Sequence, residues 1–585
     1  MLMVRNIFIL AVLAFSGAWV LSRTLHPASF FAKENIIQYL EKRQLRPIGC
    51  GTDWQAIETL MEELEMPLVQ GSGSHQWKIS THHDSAQIYF NQGINMYYSF
   101  HIIEAMASFK KAMRFDPDCP MLYWAEALAY GPNINDLGYI ASPDALHAVE
   151  KAKLLLENAS PIEKALIGAM AVRYTADSTD ATRAKLNADY TDMMKKAYAQ
   201  YPTHSDIQAL YADAMMLEHP WDLWNNDGSP KPWTPLIRQV LEALLATSPN
   251  HPGANHYYIH VMEPSPFAAL ALPSADRLAE LTPALSHTVH MPSHIYLRTG
   301  HFNKGVAVNE KAVQGFQAML AAYSPVAAAD FLYAIHNLHM QTNVAMLAGR
   351  AEKSKQSATA TVKSIPPDYL QAPAPMGSAI QYIYMVPTLV NIRFGNWDEL
   401  LNAPKPDESM TYANILFHFG KGMALAHQAR NTEAGAELKQ MQSLMKDSGL
   451  LIPFAAFSPA IEGARVAENL LAGSIALSEK DYAAAEEAFT KAASVEENMV
   501  YTEPRDWLLN PKPYLGNALL FAGKPKEAEA AFKKDLLVNA ENGWSLYGLY
   551  QSLMAQQKNR EADQMLARFK KAFDLADIKL SAAVM

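Results

Sequence analysis

A spacing of small and aromatic residues recurs from one end of this 585-residue chain to the other, and it constrains the fold more than any single motif. Between Gln87 and Pro117, Gly93 is followed by Ala105, Phe109, Ala112 and Pro117. The pattern returns at Gly300, Phe302, Gly305 and Ala312, then at Tyr482, Ala485, Phe489 and Ala492. It returns once more at Gly516, Gly523, Ala528 and Phe532. Small residues let two helices approach, and an aromatic ring fills the gap between successive units. A unit of this kind cannot bury its apolar face alone and must stack on its neighbours. The spacing predicts an all-α chain built as a single extended solenoid of helical hairpins.

Those offsets resemble the tetratricopeptide (TPR) repeat, a helix-turn-helix unit of about 34 residues. The helix starts agree with it. Ser160-Pro161-Ile162-Glu163 combines an N-cap serine, proline at the first helical position and glutamate at the third. Ser142-Pro143, Thr234-Pro235, Ser265-Pro266, Thr282-Pro283 and Ser324-Pro325 read as similar starts. Alternating β-type runs closed by Asn-Gly or Asp-Gly turns are essentially missing. The Asp-Gly at 227–228 falls in a loop rich in proline and tryptophan, 221–235, and Asn133, Asn135 and Asp136 read as turn formers.

The N-terminus reads as a targeting segment. Arg5 precedes the apolar run from Ile7 to Phe15, and Ser16-Gly17-Ala18 supplies small residues at a cleavage point. The apolar stretch continues to Leu21, which leaves two readings of residues 1–22: a cleaved signal peptide, or an uncleaved N-terminal anchor in the inner membrane. Either implies export, with the periplasm as the destination. The expected organisation is then a helical cap and linker over 23–80, TPR hairpins with a histidine-rich region over 81–365, and C-terminal TPR repeats over 366–585. Export would permit a disulfide between Cys50 and Cys119, although their spacing does not say whether they meet. A net charge of −10 argues against nucleic acid as a partner, because phosphate binding needs a basic face.

Chemistry concentrates in one region. Nine of the nineteen histidines lie between His251 and His339. In HPGANHYYIHVMEPSP, His256, His260 and Glu263 are four and three residues apart, so a helix ending before Pro264 shows all three on one face. In SHTVHMPSHIYLRTGH, His287, His290 and His294 follow at intervals of three and four, interrupted by Pro292, while His301 faces solvent. His336 and His339 share a third helical face. Stacked hairpins turn equivalent faces into one groove, so these residues are expected to converge. Imidazoles with a carboxylate suit a transition metal (zinc, copper or iron) better than magnesium or calcium. The candidate ligands are His256, His260, Glu263, His287, His290, His294, His336 and His339. Glu263 is alternatively an acceptor for an imidazole N–H, or a catalytic base. No glutamate follows the first histidine of the pair, so the zincin pattern is not met.

The segments YWAEALAYGPNIN, WDLWNNDGSPKPWTP, HPGANHYYIHVMEPSP and HMPSHIYLRTGHF resemble a group of large exported bacterial TPR proteins over about residues 80–550. That resemblance implies a TPR solenoid and carries no catalytic residue with it. Two readings follow. One is an exported solenoid with a histidine-lined metal site in its groove, with or without enzymatic activity on a small molecule. The other is an interaction scaffold whose groove takes a protein or peptide partner and whose histidines are packing residues.

Overall fold

The computed structural model describes residues 54–136, 139, 141–177, 179–325, 331–505 and 507–585. Residues 1–22, read above as a targeting segment, and Cys50 lie outside these residues. Among the described residues the chain is α-helical, with a single isolated bridge between Trp224 and Pro230 in place of any strand. No helix among them is long and apolar enough to cross a membrane.

Successive helices pair as antiparallel hairpins for the reason the spacing suggests. A side chain added at Gly93 would start 2.3 Å from the Phe109 ring. At Gly473 it would start 2.6 Å from Phe489, and at Gly516 2.5 Å from Phe532. Each glycine is therefore a socket for the aromatic residue of the second helix in its hairpin, and close packing leaves no room for another methyl group. Ser160 caps its helix through the expected box with Glu163, and Ser142 accepts a hydrogen bond from the amide of Asp144.

Two of the Ser/Thr-Pro pairs do not start helices. Ser265 closes a turn instead, with its Oγ accepting from the Phe267 amide at 3.0 Å. Thr282 follows the Leu272–Leu281 helix, and its hydroxyl pairs with that of Thr288 at 2.6 Å. A hydroxyl satisfied within a turn offers the backbone an alternative to a helix N-terminus.

The superhelix also curls back on itself. Trp544 donates from Nε1 to the carbonyl of Met346 at 3.0 Å, and Arg298 donates to that of Val538 at 3.1 Å. The carbonyl of Ala540 and the side chain of Glu541 pack against Gly300, which sits in the left-handed region at φ +76°. The C-terminal hairpins consequently lie beside the histidine-bearing helices. The apolar interior forms two main clusters, one drawing on residues from Trp54 to Tyr323 and the other from Met346 to Trp544.

Candidate metal centre

The first histidine face belongs to the helix Pro252–Met262. His251 caps it, accepting from the Ala254 amide on Nδ1, with Pro252 at the first position. Glu263 continues the helical backbone before Pro264 ends it. Gly253 allows this helix to lie against Tyr98, whose ring is 2.5 Å from where a Cβ would stand. That approach brings the carbonyl of Tyr98 to His256. The second face spans the short helices Ser286–His290 and Pro292–Thr299, joined through Met291 with helical backbone angles. Pro292 thus interrupts a nearly continuous helix. The third face lies on Phe331–Leu347.

These elements bring six imidazoles into two groups of three. In the first, the Nε2 atom of His256 lies 3.1 Å from that of His260 and 3.1 Å from that of His287. In the second, the Nε2 atoms of His290 and His294 are 2.7 Å apart, and His336 completes the group. The groups adjoin, since the ring centroids of His287 and His290 are 6.0 Å apart and those of His260 and His294 are 6.4 Å apart. His339 is in neither group; it lies further along its helix, in the wall of a cavity. His301 is exposed, as its place at the turn suggests.

The other ring nitrogen decides what each Nε2 can do. His256 donates from Nδ1 to the carbonyl of Tyr98 at 2.7 Å, an atom that only accepts. His260 and His294 donate from Nδ1 to the two oxygens of Glu263, at 3.1 and 2.7 Å. His290 donates to Oδ1 of Asn309 at 2.6 Å, and Asn309 is oriented by its own amide donating to the carbonyl of Gly305. The Nε2 atoms of these four rings therefore point at one another, in two close pairs, across a fully buried interior.

Burial and the neighbouring imidazole hold His256 far below the usual histidine range, and His287, His290 and His336 are depressed in the same way. Burial opposes charge on His294 too, but Glu263 and Glu503 beside it raise its pKa. Burial would raise Glu263; His294 and His260 overcome that and keep it ionised.

Several residues of the site carry no pattern in the sequence. Phe100, in the left-handed region at φ +54°, lays its ring over His256, His260 and His287 at centroid distances of 4.5, 6.0 and 5.5 Å. Tyr501 donates to Glu263 at 2.8 Å. Glu503 approaches His260, His294 and His336 at 3.4, 3.8 and 3.6 Å. Burial and the charge of Glu263 push Glu503 well above the carboxylate range, so it keeps its proton where Glu263 does not. Trp221, another left-handed residue at φ +63°, meets His260 edge to face at 5.5 Å.

A third cluster has the composition of a metal site but different hydrogen bonding. His75 and His251 both direct Nε2 at Asp206, at 2.8 and 3.4 Å, and Tyr98 donates to the same oxygen at 2.9 Å. Since Nδ1 of His251 accepts from an amide, its Nε2 carries the proton. This cluster is a satisfied hydrogen-bond network around a buried carboxylate.

The Tetratricopeptide repeat family matches residues 469–499, from midway along the helix Ala460–Ser478 to the residue after its hairpin partner Tyr482–Asn498. No curated relative matches the chain. Similar solved structures include a human IFIT1 dimer with m7Gppp-AAAA, at 10% identity over 85% of this chain and 91% of that one, with a TM-score of 0.30. Yeast Tom70 is similar at 10% identity over 93% and 100%, with a TM-score of 0.27. At that level of superposition neither bears on what this chain binds. The chain thus carries a tetratricopeptide repeat at residues 469–499, and the same glycine-to-aromatic socket joins hairpins from Gly93 to Phe532.

Proposed function

We propose that this protein is exported and holds two transition-metal ions in its interior, one on His256, His260 and His287 and the other on His290, His294 and His336. The reading is carried by one observation: His256 and His260 face each other Nε2 to Nε2 at 3.1 Å, with both Nδ1 protons already donated elsewhere. Two lone pairs at that distance repel unless a proton or a cation lies between them, and burial disfavours the proton on His256. Nitrogens bound tetrahedrally at about 2.0–2.1 Å from zinc stand about 3.3 Å apart, close to the spacing here. The all-imidazole donor set suits zinc, copper or iron.

Glu263 serves both ions from behind, holding one ring of each group by Nδ1 and supplying negative charge. With its oxygens taken by His260, His294 and Tyr501, it orients rings and is poorly placed as a base. Glu503 is the better candidate for proton transfer, because it borders a cavity and retains a proton. A metal pair so placed would supply Lewis-acid activation of water or oxygen chemistry.

The test is elemental analysis of the mature chain purified without a histidine tag. About two equivalents of metal are expected, falling to about one in His256→Ala/His260→Ala and in His290→Ala/His294→Ala. A folded, metal-free chain that takes up neither zinc, copper nor iron would overturn the reading and leave an interaction scaffold, the role common to TPR architecture.

A further inference from the structure

A cavity of about 350 Å³ opens beside the second histidine group. Its walls are apolar and largely aromatic, formed by Trp221, Tyr333, Tyr382, Phe454, Phe457 and Met499. Its polar border carries His336, His339 and Glu503, and neither lysine nor arginine lines it. The volume falls in the range of small-molecule sites, which are typically concave and apolar with a few convergent polar groups.

The second observation is independent of shape. His339 is only 6% exposed, lines the cavity, and its Nε2 has no hydrogen-bond partner. A buried polar atom left unpaired is destabilising, and such atoms in folded proteins usually have a partner that completes them. His339 thus brings an imidazole with an unpaired nitrogen to the wall of the aromatic cavity.

We infer that this cavity is the binding site of a neutral, ring-bearing small molecule carrying a hydroxyl group, with the ring between the aromatic walls and the hydroxyl on His339. A hydroxyl both donates and accepts, so it satisfies either tautomer of that imidazole. An anion would find neither lysine nor arginine among the described lining side chains. The binding site stands by itself; that its ligand is the substrate of the metal pair rests on the function proposed above.

The experiment titrates the full mature chain, before and after chelator treatment, with 2-naphthol, naphthalene and naphthalene-2-sulfonate, following heat of binding. In the chelator-treated chain, 2-naphthol is expected to bind saturably and at least tenfold more tightly than the sulfonate. Ala379→Trp, which fills the cavity from its wall, should weaken 2-naphthol at least tenfold with an unchanged helical circular dichroism spectrum. His339→Leu should remove the preference for 2-naphthol over naphthalene. Absence of saturable binding, or a filled-cavity variant that binds like the native chain, would overturn the inference. The two readings fail separately: naphthol binding to a chain that never takes up metal sinks only the metal pair, and a metal-loaded chain that ignores naphthol sinks only this site.

Discussion

His256 and His260 stand one helical turn apart with their Nε2 atoms 3.1 Å from each other, and as neutral rings neither can offer the other a proton without giving up an Nδ1 hydrogen bond. The sequence spacing places the two rings on one face. Their partners on the far side decide which atoms face inward, and the consequences can be measured.

Glu263→Gln keeps the volume but removes the charge and one acceptor, so one of the two Nδ1 donors loses its partner. Affinity should fall at both metal positions together, by about 10–100-fold. Competition with a chromogenic chelator measures it. A loss confined to one equivalent of metal would show that the carboxylate serves a single group.

Asn309→Leu separates the groups. Only His290 donates to Asn309, so the position held by His290, His294 and His336 should weaken about tenfold. The position on His256, His260 and His287 should keep its affinity. Stepwise chelator titration distinguishes the two phases.

Two glycines test packing against site geometry. Gly253→Ala sets a methyl group 2.5 Å from the Tyr98 ring, and Gly473→Ala sets one 2.6 Å from Phe489. Each should cost about 1–3 kcal/mol in denaturant unfolding. Only the Gly253 variant should also lower metal affinity, since Tyr98 must shift the carbonyl that orients His256.

Asp206 anchors His75, His251 and Tyr98 through hydrogen bonds that leave no lone pairs directed at a common centre. Asp206→Asn should destabilise the chain by about 3–5 kcal/mol, as breaking a buried charged network does. Metal content by elemental analysis should not change. A lost equivalent of metal would make this cluster a third site.

His339 gives a pH dependence with a definite sign. Burial pushes its pKa down to about 4, against about 6.5 in an unfolded chain. The unfolded chain therefore takes up a proton that the folded chain refuses. Its contribution is fully present above about pH 6.5 and is lost as pH falls toward 4, to a limit of about 3 kcal/mol. In chelator-treated protein, His339→Leu should flatten the acid side of the stability curve. An unchanged acid limb would show that His339 does not hold this pKa.

The chain's own pattern determined the hairpins, because Gly93 and Phe109, or Gly473 and Phe489, lie within one unit and meet by local geometry. It also determined that His256, His260 and Glu263 share a face, since helical period alone sets that. It did not distinguish His336 from His339, which lie on the same helix less than one turn apart and both line the cavity, although only His336 also joins a histidine group. Nor did it mark Tyr98, Tyr501 or Glu503. The Tyr98 carbonyl reaches His256 from 158 residues away, and Tyr501 reaches Glu263 from 238. Such partners are chosen by how the superhelix curls and which backbones glycine lets approach. Tertiary packing alone turned a row of imidazoles into two inward-facing groups, because a ring's chemistry depends on what holds its other nitrogen.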